Sequence, residues 1–288
     1  MSMNKIKYLF QFILIIILLF IFKLLGLKLA SLIGGKLSEL LGPFFRSKKI
    51  IDSNIKKAFP NINSKDLEKI VNSMWNNYGR VLAEYVFIKK FRKDNLEKNL
   101  IIEGKEILDD IKKNKKQVIF ISGHFSNFEL MAMQIEKSGI KLAAIYRPLN
   151  NFLLNILMEN IRKKYICKKQ IKKGVGGLRS LLKLNKEGYS TALMIDQRVS
   201  EGTKSNFFNQ KAFTTTIPAQ LIKKFQIPVV PIFIKRFDGI KFKLSVQKPI
   251  HFSSKNTIQS ITDELNLVIE KMIIKNPENW IWTHNRWK

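Results

Sequence analysis

The stretch Val118-Ile-Phe-Ile-Ser-Gly-His124 begins as an apolar run and ends in a glycine and a histidine. A short apolar run of this kind is typical of a buried strand, and the glycine permits a tight turn after it. A helical pattern follows over about 127–137, and the alternation then recurs along the chain. Strands are predicted over 142–146, 191–195, 229–234 and 241–246, the last at a sheet edge, and helices over 152–164, 177–186 and 217–225. Repeated alternation predicts an α/β sheet with its functional site at strand ends.

The N-terminus carries a long apolar segment from Leu9 to Leu27, in which only Gln11 and Lys23 are strongly polar. As a helix, its 19 residues span roughly 28 Å, close to a hydrocarbon core of about 30 Å. No small-residue cleavage site follows, which favours an uncleaved single-span anchor or a deeply embedded interfacial helix over a signal peptide. We therefore predict an anchor helix over residues 1–30 and one domain over 31–288. The positive-inside tendency predicts that this basic domain lies on the cytoplasmic face of an inner membrane.

The chain of 288 residues has 51 lysines and arginines against 22 aspartates and glutamates, a formal net charge of +29. A solvated basic face, an anionic membrane or a nucleic acid could each account for this charge. The sequence has no helix-turn-helix, zinc-finger or ribonucleoprotein motif, and an apolar segment beside basic charge favours lipid over nucleic acid. A single cysteine, Cys167, excludes an internal disulfide. With only three histidines as well, we expect no metal and no cofactor.

The clearest chemical signal is His124, at the point where the predicted strand gives way to a helix, with Glu129 five residues later. The two side chains can face each other only if His124 lies in the turn and Glu129 in the first helical turn. A histidine held by a carboxylate is a suitable general base, because the carboxylate orients the ring and stabilises its protonated form. The alternative is structural: Ser126 to Glu129 matches a capping box, in which Glu129 only satisfies a backbone amide.

Further segments place His124 in a wider pattern. They lie, in chain order, at 54–60, 77–84, 146–150 with Arg162 after it, 196–197, 207–208, 214–218, 229–231 and 276–287. Together with His124 and Glu129 as the mark His-x4-Asp/Glu, they resemble the lipid A biosynthesis (lauroyl/myristoyl) acyltransferases, of the lysophospholipid acyltransferase superfamily. Two departures, Asn209 in place of a usual glycine and Asn285 where an arginine is common, concern details of substrate contact.

This resemblance implies a glycerolipid acyltransferase-like fold, an α/β domain whose mixed sheet is flanked by helices. It implies that His124 deprotonates an acceptor hydroxyl while Glu129 positions it. The acceptor would be a phosphorylated glycolipid, a lipid A precursor, and the donor a fatty acyl thioester on acyl carrier protein, a small acidic protein. Arg147 and Arg162 would bind substrate phosphate or stabilise an oxyanion, and Asp196 would hold the polar network or the acceptor sugar.

Two other functions remain open from the sequence. The same residues could acylate another lipid hydroxyl, such as that of a lysophospholipid, a glycolipid or an ornithine lipid. A non-enzymatic alternative is a membrane-tethered basic binding protein, whose activity would not depend on His124. The tryptophan-rich end, with His284 among its residues, is expected to close the core or lie at the interface, and His251 is expected to be structural.

Overall fold

The computed structural model describes residues 3–93 and 99–288. Within them, one sheet has the strand order β1-β9-β8-β2-β5-β3-β4, and β6 and β7 form a separate hairpin. The strands are β1 Leu100–Glu103, β2 Ile119–Ser122, β3 Leu142–Tyr146, β4 Lys169–Lys172, β5 Ser190–Met194, β6 Thr203–Phe207, β7 Gln210–Thr214, β8 Val229–Asp238 and β9 Lys241–Val246. Strands β8, β2, β5, β3 and β4 are parallel, whereas β9 runs antiparallel to β8 and parallel to β1. The predicted α/β fold with a mixed sheet is therefore confirmed.

Helices cover both the start of the chain and the faces of the sheet. They are α1 Met3–Leu41, α2 Lys48–Ala58, α3 Ser64–Glu84, α4 Ile88–Lys93, α5 Lys105–Lys113, α6 Glu129–Lys137, α7 Phe152–Tyr165, α8 Val175–Lys186, α9 Ile217–Phe225 and α10 Ile258–Lys275. The predicted helices therefore form, with ends that differ from the expected ones by two residues or fewer.

The centre of the sheet is the most deeply buried part of the domain. Every residue of β2 is buried, as expected for a parallel strand covered on both faces. The predicted strand over 241–246 forms as β9, but its expected place at the sheet edge is wrong. The short strand β1 pairs outside it, so β9 has a neighbour on each side.

Helix α1 extends beyond the predicted anchor and is continuous with the domain. It breaks its helical geometry once, at Gly26, where φ is +75°. Its C-terminal part packs against α3 through Gly34 and Gly79, which approach so closely that a Cβ on Gly79 would lie 1.9 Å from the Gly34 carbonyl oxygen. By length and composition α1 could cross a membrane. The predicted boundary at residue 30 falls inside this helix.

Candidate active site

Parallel pairing of β2 with β5 positions the centre of the site. Ser122 and Met194 are register partners at the carboxyl ends of these strands. His124 and Asp196 each follow two residues later, so both side chains lie at the same edge of the sheet. This is the edge at which parallel α/β sheets carry their sites.

His124 is held by Asp196, not by Glu129. The ring Nδ1 of His124 lies 2.9 Å from Asp196 Oδ1, and the His124 backbone N–H donates to Oδ2 at 2.9 Å. The expectation that Glu129 orients this ring is wrong, because Glu129 accepts from Arg162 and the strand pairing delivers a different carboxylate to His124. With Nδ1 engaged, Nε2 is the nitrogen that can accept a proton.

The two partners shift each other's pKa in opposite directions. Burial alone would lower the pKa of His124, but the charge and hydrogen bond of Asp196 outweigh it, and the pKa is raised above its ordinary value. Burial would raise the pKa of Asp196, but the charge of His124 and its hydrogen bonds hold that pKa below the ordinary value. Asp196 is therefore ionised under the imidazole at neutral pH.

Small and aromatic residues fix this contact. A Cβ on Gly123 would lie 2.9 Å from the Phe125 ring and 3.1 Å from Cβ and Cγ of Asp196, so a side chain here would displace one of its neighbours. The Trp280 indole N–H donates to Asp196 Oδ2 at 2.8 Å. The Phe128 ring meets the His124 ring edge-on, with 4.9 Å between centroids. The role of Trp280 was missed in the sequence, which indicated only that the tryptophan cluster closes the core or lies at the interface.

Glu129 instead binds Arg162. Nε of Arg162, near the end of α7, donates to Glu129 Oε1 at 2.8 Å, and its Nη2 donates to the same oxygen. The side chains are only 14% and 7% exposed. Burial would lower the pKa of Arg162, but the charges of Glu129 and Tyr85 and the hydrogen bonds to them together outweigh burial and raise that pKa. The charge of Glu129 raises the pKa of His124 and that of Arg162 lowers it, so the pair is within electrostatic range of the ring.

The capping-box alternative for Glu129 is also wrong. Helix α6 begins at Glu129 with Phe128 as its N-cap, and no side chain caps it. Ser126, the expected cap, donates from Oγ to the Asn279 side chain and accepts from the backbone N–H of Arg236 at 3.0 Å. The turn that carries His124 is therefore fixed by residues from outside the helix.

Arg147 follows β3 at the same edge of the sheet as His124. Its side chain is exposed, unlike that of Arg162. Burial and then the charge of Arg147 lower the pKa of Lys173, which places these two cations near each other. Arg147 also contributes to lowering the pKa of His284 to about 4, of which burial is the largest cause. This edge of the sheet therefore carries two neighbouring cations, since the Lys173 backbone N–H donates to the Tyr146 carbonyl oxygen next to Arg147.

Asp196 is fully buried, unlike the exposed Arg147. Its side chain is 0% exposed, and its oxygens are taken by His124 and Trp280. This position fits the polar-network role rather than contact with an acceptor sugar. The His124 side chain that it holds is 21% exposed.

The chain is similar over most of its length to known proteins. A family model described as bacterial lipid A biosynthesis acyltransferase matches residues 2–288. The chain belongs to this family.

It is 22% identical over 254 residues to the lipid A biosynthesis myristoyltransferase of Escherichia coli (strain K12), covering 86% of this chain and 76% of the relative. It is 24% identical over 269 residues to the lauroyltransferase of the same strain, covering 89% and 84%. A Haemophilus influenzae lipid A biosynthesis acyltransferase is 26% identical over 251 residues, covering 84% and 78%.

Membership of the family makes the chain an acyltransferase of lipid A biosynthesis, with a lipid A-type acceptor. The reading as a non-enzymatic binding protein is thereby set aside. The apolar helix α1 is consistent with association of the enzyme with a membrane.

Proposed function

We propose that this lipid A acyltransferase moves a fatty acyl chain from an acyl carrier protein thioester to a hydroxyl of a lipid A precursor. His124 is the general base and Asp196 its orienting carboxylate. The observation that carries this proposal is the 2.9 Å contact between His124 Nδ1 and Asp196 Oδ1, made below a partly exposed ring. That arrangement directs Nε2 toward a substrate and stabilises the imidazolium once it forms.

The reaction then proceeds in two proton-balanced steps. Nε2 of His124 takes the proton of the acceptor hydroxyl while the oxygen attacks the thioester carbonyl carbon. The resulting tetrahedral intermediate collapses, the carbon–sulfur bond breaks, and the thiolate leaves with the proton from the imidazolium. The products are the acyl ester and the free carrier thiol, so no oxidant, metal or other co-reactant enters the balance.

Arg162 is the candidate for charge stabilisation beside His124. Its guanidinium is fixed by Glu129 through two donors to one oxygen, which leaves other N–H groups to meet a developing oxyanion or a substrate phosphate. Glu129 is therefore a positioning residue for Arg162. Arg147, exposed at the same edge of the sheet beside Lys173, suits an acceptor phosphate.

A basic surface supports an acidic carrier protein as the donor. Lys48, Lys49, Lys56 and Lys57 line an open groove on the outer side of α2. The opposite side of α2 packs inward, and its Asn54 donates to the backbone oxygens of Trp282 and His284 at 2.8 Å. Lys57 also lies over the Trp287 ring, 5.1 Å from its centroid, so the groove adjoins the C-terminal segment that carries Trp280. Charge complementarity of this kind accelerates association and selects an acidic partner.

We place the enzyme at the cytoplasmic face of the inner membrane. Two observations support this location: the apolar helix α1, and a net charge of +29 that attracts an anionic leaflet. In this arrangement the carrier approaches from the aqueous side and the glycolipid from the bilayer.

The test is direct transfer by the full-length enzyme in lipid–detergent micelles. Acyl carrier protein thioester is mixed with a lipid A precursor, and the products are weighed by mass spectrometry. We expect one added chain on the precursor, and no product with His124→Ala at the same level of folded protein. Transfer only to lysophospholipid, a different glycolipid or ornithine lipid would overturn the acceptor. Transfer from acyl-coenzyme A alone would overturn the donor.

A further inference from the structure

Glu84 is a buried carboxylate on which several separate elements converge. It is the last residue of α3 and is 0% exposed. The Ser31 hydroxyl, on α1, donates to its Oε1 at 2.7 Å, and the Asn127 side chain, in the turn after β2, donates to its Oε2 at 2.9 Å. The two contacts use different oxygens of one carboxylate. Glu84 thus joins the apolar N-terminal helix to the turn that carries His124.

Arg236 supplies the opposite charge. Its Nη1 donates to Glu84 Oε1 and its Nη2 to Oε2 at 3.0 Å, a two-point ion pair between side chains that are 10% and 0% exposed. Arg236 also reaches the same turn, because its backbone N–H donates to Ser126 Oγ at 3.0 Å. Planar two-point pairing of this kind fixes orientation as well as distance.

The turn itself needs such support. Ser126 has a φ of +42°, a left-handed conformation that is unfavourable for residues other than glycine, asparagine and aspartate. Ser126 and Asn127 are held by Arg236 and Glu84, and His124 is two residues before Ser126. A small displacement of this turn therefore moves the ring of His124 relative to its substrate.

Ser31 connects this hydrogen-bond network to α1. Arg80 Nη1 donates to Ser31 Oγ at 3.1 Å, so this hydroxyl accepts one hydrogen bond and donates another to Glu84. The contact lies one turn before Gly34, where α1 and α3 are in backbone contact through Gly79. The C-terminal half of α1 is thus part of the buried network and not only an anchor.

We propose that Glu84 is a positioning residue that couples the packing of α1 against α3 to the position of His124. Through Ser31, Glu84 and Asn127, the apolar helix influences the position of the His124 ring. Turnover therefore depends on how α1 packs against α3. This proposal rests on the proposed role of His124 as the general base.

The first test is Ser31→Ala, which removes one hydrogen bond and leaves the ion pair in place. We expect kcat to fall by about 3- to 10-fold, the range of a single hydrogen bond, while KM and the share of enzyme bound to vesicles stay unchanged. Ser38→Ala, on the same helix and also facing α3 at Gly79, is the matched control and should retain full kcat. Unchanged kcat in Ser31→Ala would overturn the coupling.

A double-mutant cycle tests the route through Glu84. If Ser31 and Asn127 act through one carboxylate, the combined Ser31→Ala and Asn127→Ala variant should lose less kcat than the product of the single losses. Independent, multiplicative losses would contradict a shared route. Thermal unfolding of each variant, measured in parallel, reports stability separately from turnover.

Replacing both Glu84 and Arg236 by uncharged residues separates an effect on positioning from an effect on folding. Glu84→Gln alone leaves Arg236 buried without its counter-charge, which destabilises the fold, and adding Arg236→Met should restore the melting temperature. The backbone N–H at position 236 still donates to Ser126 in the double variant, but the amide offers only one acceptor oxygen for Ser31 and Asn127. We therefore expect kcat to remain about 3- to 10-fold low, the range of a single hydrogen bond. Recovery of kcat together with stability would reduce Glu84 to a structural residue. His124→Ala in the same assay distinguishes the two proposals: activity in that variant refutes the base, whereas its loss beside normal Ser31→Ala turnover refutes only the coupling.

Discussion

Asp196 holds His124 at two points, with one carboxylate oxygen on the ring Nδ1 and the other on the backbone N–H of the same residue. The first contact sets the tautomer and tilt of the imidazole, and the second fixes the turn from which it projects. Trp280 adds a third donor to this carboxylate at 2.8 Å. A single buried carboxylate therefore defines the position, orientation and basicity of the candidate base.

We expect Asp196→Asn to lower kcat by about 10²- to 10⁴-fold, because the amide can no longer stabilise the imidazolium. The pH profile should change as well. A base must be neutral to act, so activity rises with pH through the raised pKa of His124. Loss of the Asp196 charge lowers that pKa, and the acidic limb of kcat/KM should move to lower pH. Rate measurements between pH 5 and 9 on correctly folded protein check this.

Glu129→Gln provides the comparison that distinguishes the two carboxylates. Glu129 also raises the pKa of His124, but its contribution ranks below that of Asp196. We therefore expect the acidic limb of kcat/KM in Glu129→Gln to move to lower pH as well, but by a smaller amount than in Asp196→Asn. The buried Arg162 loses its counter-charge, which should destabilise the fold by about 3–5 kcal/mol in thermal unfolding. A larger pH shift in Glu129→Gln than in Asp196→Asn would restore Glu129 as the partner of the histidine.

The residue types of the site are readable from the sequence, but their pairing is not. His124 and Glu129 are close in the chain, and local spacing suggested that they act together. The carboxylate that binds the ring comes from a position 72 residues away, after β5. Which strands are neighbours in a sheet is a long-range property, and apolar runs such as those of β2 and β5 carry no mark of their partners.

Local sequence patterns also explain which strands were predicted and which were not. Strands with buried apolar runs were predicted to within four residues at their ends, and two of them, 142–146 and 241–246, match at both ends. Strand β4 consists of the polar sequence Lys-Gln-Ile-Lys, and the hairpin of β6 and β7 exposes Lys204 and Lys211, so neither has the apolar pattern of a core strand. The hairpin turns through Phe208 and Asn209, whose φ values are +52° and +58°. Asparagine tolerates this conformation, which accounts for Asn209 in place of a glycine.

Gly123→Ala should weaken turnover through sterics alone. The new methyl group would lie 2.9 Å from the Phe125 ring and 3.1 Å from Asp196, so the ring, the carboxylate or the turn that carries His124 must shift. We expect kcat to fall by at least about 10-fold, since small displacements of catalytic groups are costly. Gly176→Ala in α8 is the control, because nothing lies within 4 Å of its added Cβ. Equal activity in both variants would contradict a tight packing requirement at Gly123.

The lysines of α2 can be tested as the docking surface for an acidic carrier. In a variant with Lys48, Lys49, Lys56 and Lys57 each changed to Glu, KM for the carrier thioester should rise by about 10-fold or more at low salt. The effect should shrink as salt is added, because screening weakens attraction between exposed charges. The run Lys112, Lys113, Lys115 and Lys116 offers a matched control with the same change in net charge at another surface. A similar rise in KM in both variants would point to overall charge, and no rise in either would exclude α2 as the docking site while leaving the acyl transfer reaction itself intact.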